Sequence, residues 1–332
     1  MKTLHMDLGP DSYDILMGHG ILKEAPAHLD LDRKVLIVTD TGVPELYAET
    51  LAAGCKTPVI ARIEQGEQSK CMDSFAYLLR VMLENGFTRK DCVAALGGGV
   101  VGDLAGFAAS AYMRGIDFYN IPTTTLSQVD SSIGGKVAID FEGVKNIVGA
   151  FYQPKRVLVD PDVLVTQSPR QLANGLAEAM KTGLIADEVL FHIFEKENAL
   201  DKLDEVIWRS LVVKKYVVEK DEKESGLRKT LNFGHTLGHG IESAVGLGEL
   251  LHGECVGIGM LPMCGEGLRD RVKATLEKYG LPTGAEYDKK AAFEAVRHDK
   301  KGGGENTTVV RVDIPGQAYL AVVPTASLKA LL

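Results

Sequence analysis

Short apolar runs separated by stretches of helical length constrain this chain more than any other feature. Asp32-Arg-Lys opens the run Val35-Leu-Ile-Val-Thr-Asp40, which ends at Thr41-Gly42. Residues 43–53 have helical character, and Pro58-Val-Ile-Ala-Arg-Ile63 is the next run. Ser74–Asn85 carries apolar residues at helical spacing, and Asp91-Cys-Val-Ala-Ala-Leu96 is a further run. Runs this apolar have no face for water, so they read as strands of a parallel sheet covered on both sides by the intervening helices. The alternation predicts an α/β domain.

The last of these runs enters Gly97-Gly-Gly-Val-Val-Gly-Asp103, where Gly97, Gly99 and Gly102 keep the G-x-G-x-x-G spacing of dinucleotide turns. Glycines there let the backbone approach a pyrophosphate, and the following helix start presents free N–H groups and a positive dipole end. The strand is not the first of the series, and no acidic residue stands ~20 positions downstream, so the spacing alone also suits a turn that merely permits tight packing. Asp40, at the carboxyl end of an earlier strand, lies where a ribose hydroxyl would be met. Ala111–Thr125 then reads as a strand entering a threonine-rich loop. Gln128–Lys136 and Gly143–Asn146 set polar groups among glycines. Lysines in such a setting suit a close approach to phosphate or carboxylate.

Val157–Leu164 predicts the final strand and exit of this domain. Ser168-Pro169 opens a helix, serine as N-cap and proline in the first turn. On it Asn174, Glu178 and Lys181 share a face. Glu178 lies among apolar neighbours, where an ionised carboxylate needs a metal or a cation such as Lys181. Residues 187–222 read as helical, and the charged run Glu219–Glu224 reads as a solvated face. Next comes Arg228-Lys-Thr-Leu-Asn-Phe-Gly-His-Thr-Leu-Gly-His239, answered by His252-Gly-Glu254. His235 and His239 are four apart, hence on one helical face, a recurring way to hold a divalent ion. His252 is close enough to fold back from a neighbouring helix. Gly253–Gly267 reads as a buried helix. The tail holds His298-Asp-Lys300-Lys301, Gly302–Gly304 and an edge strand, Val309–Val312. The expected architecture is an α/β nucleotide-binding domain with a parallel sheet over residues 1–165, followed by a mainly α-helical metal- and substrate-binding domain over 166–332.

A formal net charge of −8 argues against a nucleic-acid partner. Yet Arg114, Lys136, Lys145, Lys181, Lys214, Arg228 and Lys300 lie in or beside the glycine- and histidine-rich motifs, which suits a small polyanion. The five cysteines include no C-x-x-C pair, so a reducing cytoplasm is expected. No apolar run approaches the ~20 residues that span a bilayer, and the N-terminus lacks the apolar segment of a signal peptide. No membrane partner is expected.

Taken together, Gly97–Asp103, Pro122-Thr-Thr-Thr, Asp130-Ser-Ser-Ile-Gly-Gly-Lys136, Lys145-Asn146, Ala177-Glu178-Ala-Met-Lys181, Leu227-Arg228, Asn232–His239 and His252-Gly-Glu254 resemble the dehydroquinate synthase family of sugar phosphate cyclases. The resemblance runs in order from about residue 35 to the tail. It implies a homodimeric shikimate-pathway enzyme that converts 3-deoxy-arabino-heptulosonate 7-phosphate to 3-dehydroquinate and phosphate. NAD would be used catalytically, with one zinc or cobalt ion. The cycle would run through oxidation at C5, phosphate elimination, re-reduction and an intramolecular aldol closure. By the same resemblance Glu178, His235 and His252 would bind the metal, which frees His239 as general acid/base and revises the pairing of His235 with His239. Lys136, Asn232 and Lys300 would face the phosphate, and Arg114 would reach it from a partner subunit. Lys214 and Arg228 would hold the carboxylate; Asp130, Lys145, Asn146 and Lys181 would surround the hydroxyls. Asp40, Glu67, Lys70, Gly97, Gly98, Gly99, Asp103, Thr123 and Thr124 would contact NAD, with Asp130, Lys136 and Lys145 bordering it. The three glycines after Lys301 depart from the family's shorter turn, so the phosphate ligand lies between Lys300 and Lys301, and Lys300 is the one expected.

Three other classes compete. A related cyclase acting on a substrate without a carboxylate would have little use for Lys214 and Arg228. A polyol dehydrogenase would not require so many anion-binding residues, and a non-catalytic NAD sensor has no need of Glu178, His239 and His252 together.

Overall fold

The computed structural model describes residues 1–246, 248–299 and 305–332. The chain forms two compact units, Met1–Gln167 and Ser168–Leu332. No helix among the described residues is long and apolar enough to cross a membrane.

The strands of the first unit are β1 (Lys2–Met6), β2 (Tyr13–Met17), β3 (Lys34–Asp40), β4 (Thr57–Ile63), β5 (Cys92–Gly97), β6 (Asp117–Pro122), β7 (Lys136–Phe141), β8 (Val144–Phe151) and β9 (Arg156–Val159). Its helices are α1 (Ala25–His28), α2 (Glu45–Ala53), α3 (Met72–Glu84) and α4 (Gly99–Ala111). Seven strands form one sheet in the order β1-β2-β9-β6-β5-β3-β4. Every pairing in it is parallel except β1 with β2.

The apolar run of β3 is explained by a core on each face. Val35 and Ile37 pack on one side with Leu16, Leu51 and Ala94; Leu36 and Val38 pack on the other with Leu78, Val93 and Val101. A strand with period two and two dry faces must be apolar throughout. From β3 the chain adds β4 on one side, then returns to add β5 on the other. The growth of the sheet therefore reverses at the β3–β5 pair. The carboxyl ends of both strands, Asp40 and Gly97, lie at this switch point, where open α/β sheets bind ligands.

Two pairings lie outside the sequence reading. β1 has a mixed sequence exposed at three of its five positions, with Met6 buried, and carries no clear burial signal. The stretch read as glycine-punctuated loop is the β7–β8 antiparallel hairpin. Its two-residue turn, Glu142-Gly143, has positive φ at both positions (49° and 76°). That is the backbone of the hairpin turn usually built from asparagine and glycine, so glutamate concealed it.

The second unit contains α5 (Pro169–Ala186), α6 (Glu188–Lys196), α7 (Leu203–Lys220), α8 (His235–Val245), α9 (His252–Met260), α10 (Glu266–Lys278) and α11 (Lys289–Asp299). An antiparallel pair, β10 (Asn306–Val312) and β11 (Ala318–Pro324), completes it. Ser168 caps α5 by accepting the Gln171 N–H at 3.3 Å, as its sequence predicts. All of Asn174–Ile185 is buried, which makes α5 the central helix of the unit. The predicted helix over 187–222 breaks between α6 and α7. The predicted helix over 253–267 ends at Met260, because Pro262 follows and has no N–H to continue the ladder.

Phe118 on β6 is 2% exposed within the core beneath α4. Phe118→Ala is expected to destabilise the chain by about 3–5 kcal/mol, measured as a lower urea midpoint at unchanged slope.

Candidate functional site

In the second unit three helices bring a carboxylate and three imidazoles together. Glu178 and Lys181 lie on α5, each 1% exposed, and form an ion pair through Glu178 Oε2. Glu178 Oε1 faces the other way, 3.7 Å from His235 Nε2 and 3.6 Å from His252 Nε2. His235 opens α8 and His252 opens α9. His239 follows one turn after His235, and the rings of His235, His239 and His252 stand 5.2–5.6 Å apart by centroid. One ligand atom from each of the three histidines lies within 4.8 Å of the others. Gly234, in the left-handed region (φ 79°), lets the chain turn sharply into α8. A Cβ there would stand 2.7 Å from the Val256 carbonyl oxygen, so the close packing of α8 on α9 also requires glycine.

Burial, with the cationic side of Lys181 and the neighbouring imidazoles, pushes the His235 imidazole well below its ordinary value. It is neutral at pH 7, the form that binds metals. Its Nδ1 lies 3.1 Å from the Phe233 carbonyl, which leaves Nε2 directed at Glu178. At His252 burial works downward, but Glu242 and then Glu178 outweigh it and raise the imidazole above its ordinary value. Glu242 Oε2 lies 3.4 Å from His252 Nδ1. This carboxylate behind the imidazole was not anticipated; its signal is the position one helical turn beyond His239.

The donor set fits a divalent ion. Ligands ~2.1 Å from a tetrahedral zinc stand ~3.4 Å from one another, and the separations from Glu178 Oε1 are 3.6 and 3.7 Å.

Lys214 on α7 is 8% exposed, and Arg228, in the turn before α8, is 2% exposed. The charged run expected as a solvated face has no buried residue from Glu219 to Glu224, and it also builds that turn. Asp221 ends α7, and its Oδ1 accepts from the N–H and hydroxyl of Ser225 at 2.8 and 2.9 Å. Its Oδ2 accepts from the N–H groups of Gly226 and Arg228 at 2.6 and 2.9 Å. Desolvation opposes the charge of Asp221, but these donors hold the carboxyl well below the usual range. Glu224, with φ 61°, accepts from Asn232 Nδ2 at 2.5 Å. The Arg228 guanidinium donates to the Glu222 carbonyl. Charge alternation concealed these contacts because they join side chains to backbone a few residues on.

The first unit holds the glycine turn. Gly97 ends β5, Gly98 precedes α4 with no side chain capping the helix, and Gly99 begins it. A Cβ at Gly98 would lie 3.1 Å from Thr124 Cγ2, and one at Gly99 would lie 3.0 Å from Ser131 Oγ. The helix start without a capping side chain and the lack of side chains on the glycines form a cradle suited to a pyrophosphate. The Thr123 N–H donates to the Gly97 carbonyl at 2.9 Å, tying the threonine loop to the turn. Lys70, 5% exposed, donates from Nζ to Asp103 at 2.9 Å and pairs with Glu67 at 3.3 Å. Burial would lower its ammonium, but the two carboxylates raise it instead. Asp40 Oδ1 accepts the N–H groups of Gly42 and Val43 at 2.8 and 3.1 Å; burial still pushes its carboxyl up.

Asp130 lies in the short helical turn Ser127–Ser131. Lys136 starts β7, and Lys145 and Asn146 lie near the exposed tip of the β7–β8 hairpin. Arg114 is exposed in a turn where Met113, Arg114 and Gly115 all have positive φ. Lys300 and Lys301 fall outside the described residues.

The family profile described as 3-dehydroquinate synthase N-terminal matches residues 60–174, and the one described as 3-dehydroquinate synthase C-terminal matches residues 175–302. The 3-dehydroquinate synthase of Streptococcus sanguinis (strain SK36) is 40% identical over 352 aligned residues, covering 99% of both chains. That of Clostridium kluyveri is 39% identical over 337 residues, covering 95% of this chain and 94% of the relative. Among solved structures, a 2-epi-5-epi-valiolone synthase from Streptomyces hygroscopicus with NAD+ and Zn2+ bound superposes with a TM-score of 0.87 at 28% identity, over 96% of this chain and 95% of that one.

Asp221→Ala is expected to release the turn before α8: hydrogen exchange at the amides of Ser225, Gly226 and Arg228 should rise while exchange within α5 stays slow. Unchanged protection of those amides would show that the turn holds without the carboxylate.

Proposed function

The chain belongs to the 3-dehydroquinate synthase family, and from that premise we propose that it converts 3-deoxy-D-arabino-heptulosonate 7-phosphate to 3-dehydroquinate and phosphate. It is an NAD- and metal-dependent carbon–oxygen lyase. The observation that brings this activity to particular residues is the placement of Glu178 Oε1 3.7 and 3.6 Å from the Nε2 atoms of His235 and His252. Those three residues would hold a zinc or cobalt ion, while His239 serves as general acid/base. When bound, the ion supplies Lewis acidity at the substrate hydroxyls and the nicotinamide accepts and returns a hydride.

The protein residues supply charge and position. In this reading the first unit is the nucleotide-binding domain. Its uncapped α4 start and glycine turn receive the pyrophosphate, with Thr123 and Thr124 beside them. Asp40 meets a ribose hydroxyl, and the Glu67–Lys70–Asp103 group orders the rim. The second unit carries the metal and the anion-binding residues. Lys214 and Arg228 hold the substrate carboxylate, for which a guanidinium fork is matched in shape. Their retention favours this substrate over those of cyclases acting on sugars without a carboxylate. Asn232, Lys136 and Lys300 are assigned to the phosphate. Asp130, Lys145, Asn146 and Lys181 are assigned to the hydroxyls. His239 would take a proton from a substrate hydroxyl and later return it, as a general acid/base.

We also propose a homodimer in which exposed Arg114 serves the partner's phosphate site. Cys55, Cys71, Cys92, Cys255 and Cys264 are not joined in disulfides, which fits a reducing cytoplasm.

Three outcomes test this reading. With the heptulosonate phosphate, catalytic NAD and zinc, phosphate should be released without net NADH, and a chelator should stop it. NADH accumulating in step with substrate loss would instead identify a dehydrogenase. Arg228→Ala should lose about 1.5–3 kcal/mol in kcat/KM, mostly through KM; unchanged kinetics would place the carboxylate elsewhere. Because Glu242 and Glu178 raise His252 above its ordinary value, protons compete with an ion for this imidazole at higher pH than for an ordinary histidine. Metal affinity should therefore weaken as pH falls from about 8 to about 6, and a flat profile would count against His252 as a ligand.

A further inference from the structure

Three residues on successive turns of α5 meet three consecutive residues at the start of α9. Glu178 faces His252 at 3.6 Å. One turn earlier, Asn174 Oδ1 accepts the backbone N–H of Gly253 at 2.6 Å. One turn earlier again, Arg170 donates from Nε to Glu254 Oε1 and from Nη2 to Glu254 Oε2, both at 2.7 Å. The four-residue spacing of Arg170, Asn174 and Glu178 puts them on one helical face. A Cβ at Gly253 would stand 2.0 Å from the Asn174 carbonyl oxygen, so only glycine allows this approach. The same groups fasten the connection into α9. Glu254 Oε2 accepts the Leu251 N–H at 2.8 Å, and Arg170 Nη2 donates to the Glu249 carbonyl at 2.8 Å.

We infer that Arg170, Asn174 and Glu254 are positioning residues for the metal centre: they fix the first turn of α9 on α5 and so set His252 against Glu178. The inference rests on Glu178 and His252 being metal ligands. His252 is the first residue of its helix, where backbone amides lack partners within the helix and ends fray. A metal ligand must be held within about 0.5 Å, so this end needs support from outside the helix. Asn174 supplies an acceptor to a first-turn amide, and Glu254 supplies one to the residue before His252. The side chain of Glu254 is 6% exposed and that of Arg170 is 53% exposed. An ion pair with one partner so open to water contributes little as attraction alone. Its two parallel hydrogen bonds instead set orientation, since a guanidinium fork holds a carboxylate in a single plane. The residues of the brace are distinct from Glu242, which meets His252 at the imidazole Nδ1.

The test is cobalt(II) binding to the full chain, followed by the visible ligand-field spectrum and by equilibrium titration, for Arg170→Ala, Arg170→Lys, Glu254→Gln and His252→Ala. Loss of a supporting partner behind a ligand typically weakens metal binding about 10–100-fold. That loss is expected for Arg170→Ala and Glu254→Gln, with an altered ligand-field spectrum and metal-free thermal unfolding close to that of the parent. Arg170→Lys keeps the charge without the fork and should fall between them and the parent. If Arg170→Ala does not fold, Arg170→Lys and Glu254→Gln decide by the same readouts. Affinity and spectrum within about twofold of the parent in the folded variants, with binding lost in His252→Ala, would overturn the brace and leave the metal centre standing. Full binding by His252→Ala would overturn the ligand assignment itself, and the brace with it.

Discussion

The carboxylate of Glu178 is buried to 1% exposure, and an ion so placed must be matched by cations or be lost to protonation. Lys181, three residues on and just as buried, matches one oxygen; His235 and His252 face the other. Much of the second unit answers to that requirement. α5 must be enclosed by other helices to keep the pair dry, and it is enclosed over Asn174–Ile185. α8 and α9 must both begin beside it, which the left-handed Gly234 and the close approach at Gly253 allow. The burial that makes Glu178 costly also keeps His235 neutral, the state in which an imidazole can be a ligand.

In the function proposed for it, the first unit meets a different constraint. A nucleotide phosphate needs unpaired N–H groups near a surface free of side chains, and a parallel sheet supplies such a place at the carboxyl ends of its strands. Gly97–Gly99 lie there because β5 is the strand at which the order of the sheet reverses. Lys70 shows how tightly the rim is organised: Asp103 and Glu67 hold its ammonium, and its carbonyl accepts the N–H of Asp140 on β7. Residues expected to touch the cofactor thus also hold one another.

Much of this could be read from residue order. Apolar runs without polar alternation require two covered faces, so the α/β character of the first unit follows from β3, β5 and the helices between them. Ser168-Pro169 marks the start of α5 because capping chemistry is local. The histidine spacing announces a cluster, since i and i+4 share a helical face. The β7–β8 hairpin escaped because a glutamate occupies a left-handed turn position. The work of Asp221 escaped because a carboxylate binding backbone amides has the same composition as a solvated one.

What the sequence determined by itself is therefore local and periodic: strand or helix, cap, turn, and the residues able to carry charge or bind metal. What only the tertiary structure decided is which of them meet. His235, His239 and His252 formed an ambiguous trio in sequence. The fold gathers all three within reach of one another and sets Glu178 Oε1 3.7 Å from His235 Nε2 and 3.6 Å from His252 Nε2, a matter of how α5 crosses the starts of α8 and α9. The Arg170–Glu254 pair, 84 residues apart, has no signature in either segment. Pairings of that kind depend on close packing between distant elements, and packing becomes defined only when the chain has closed on itself.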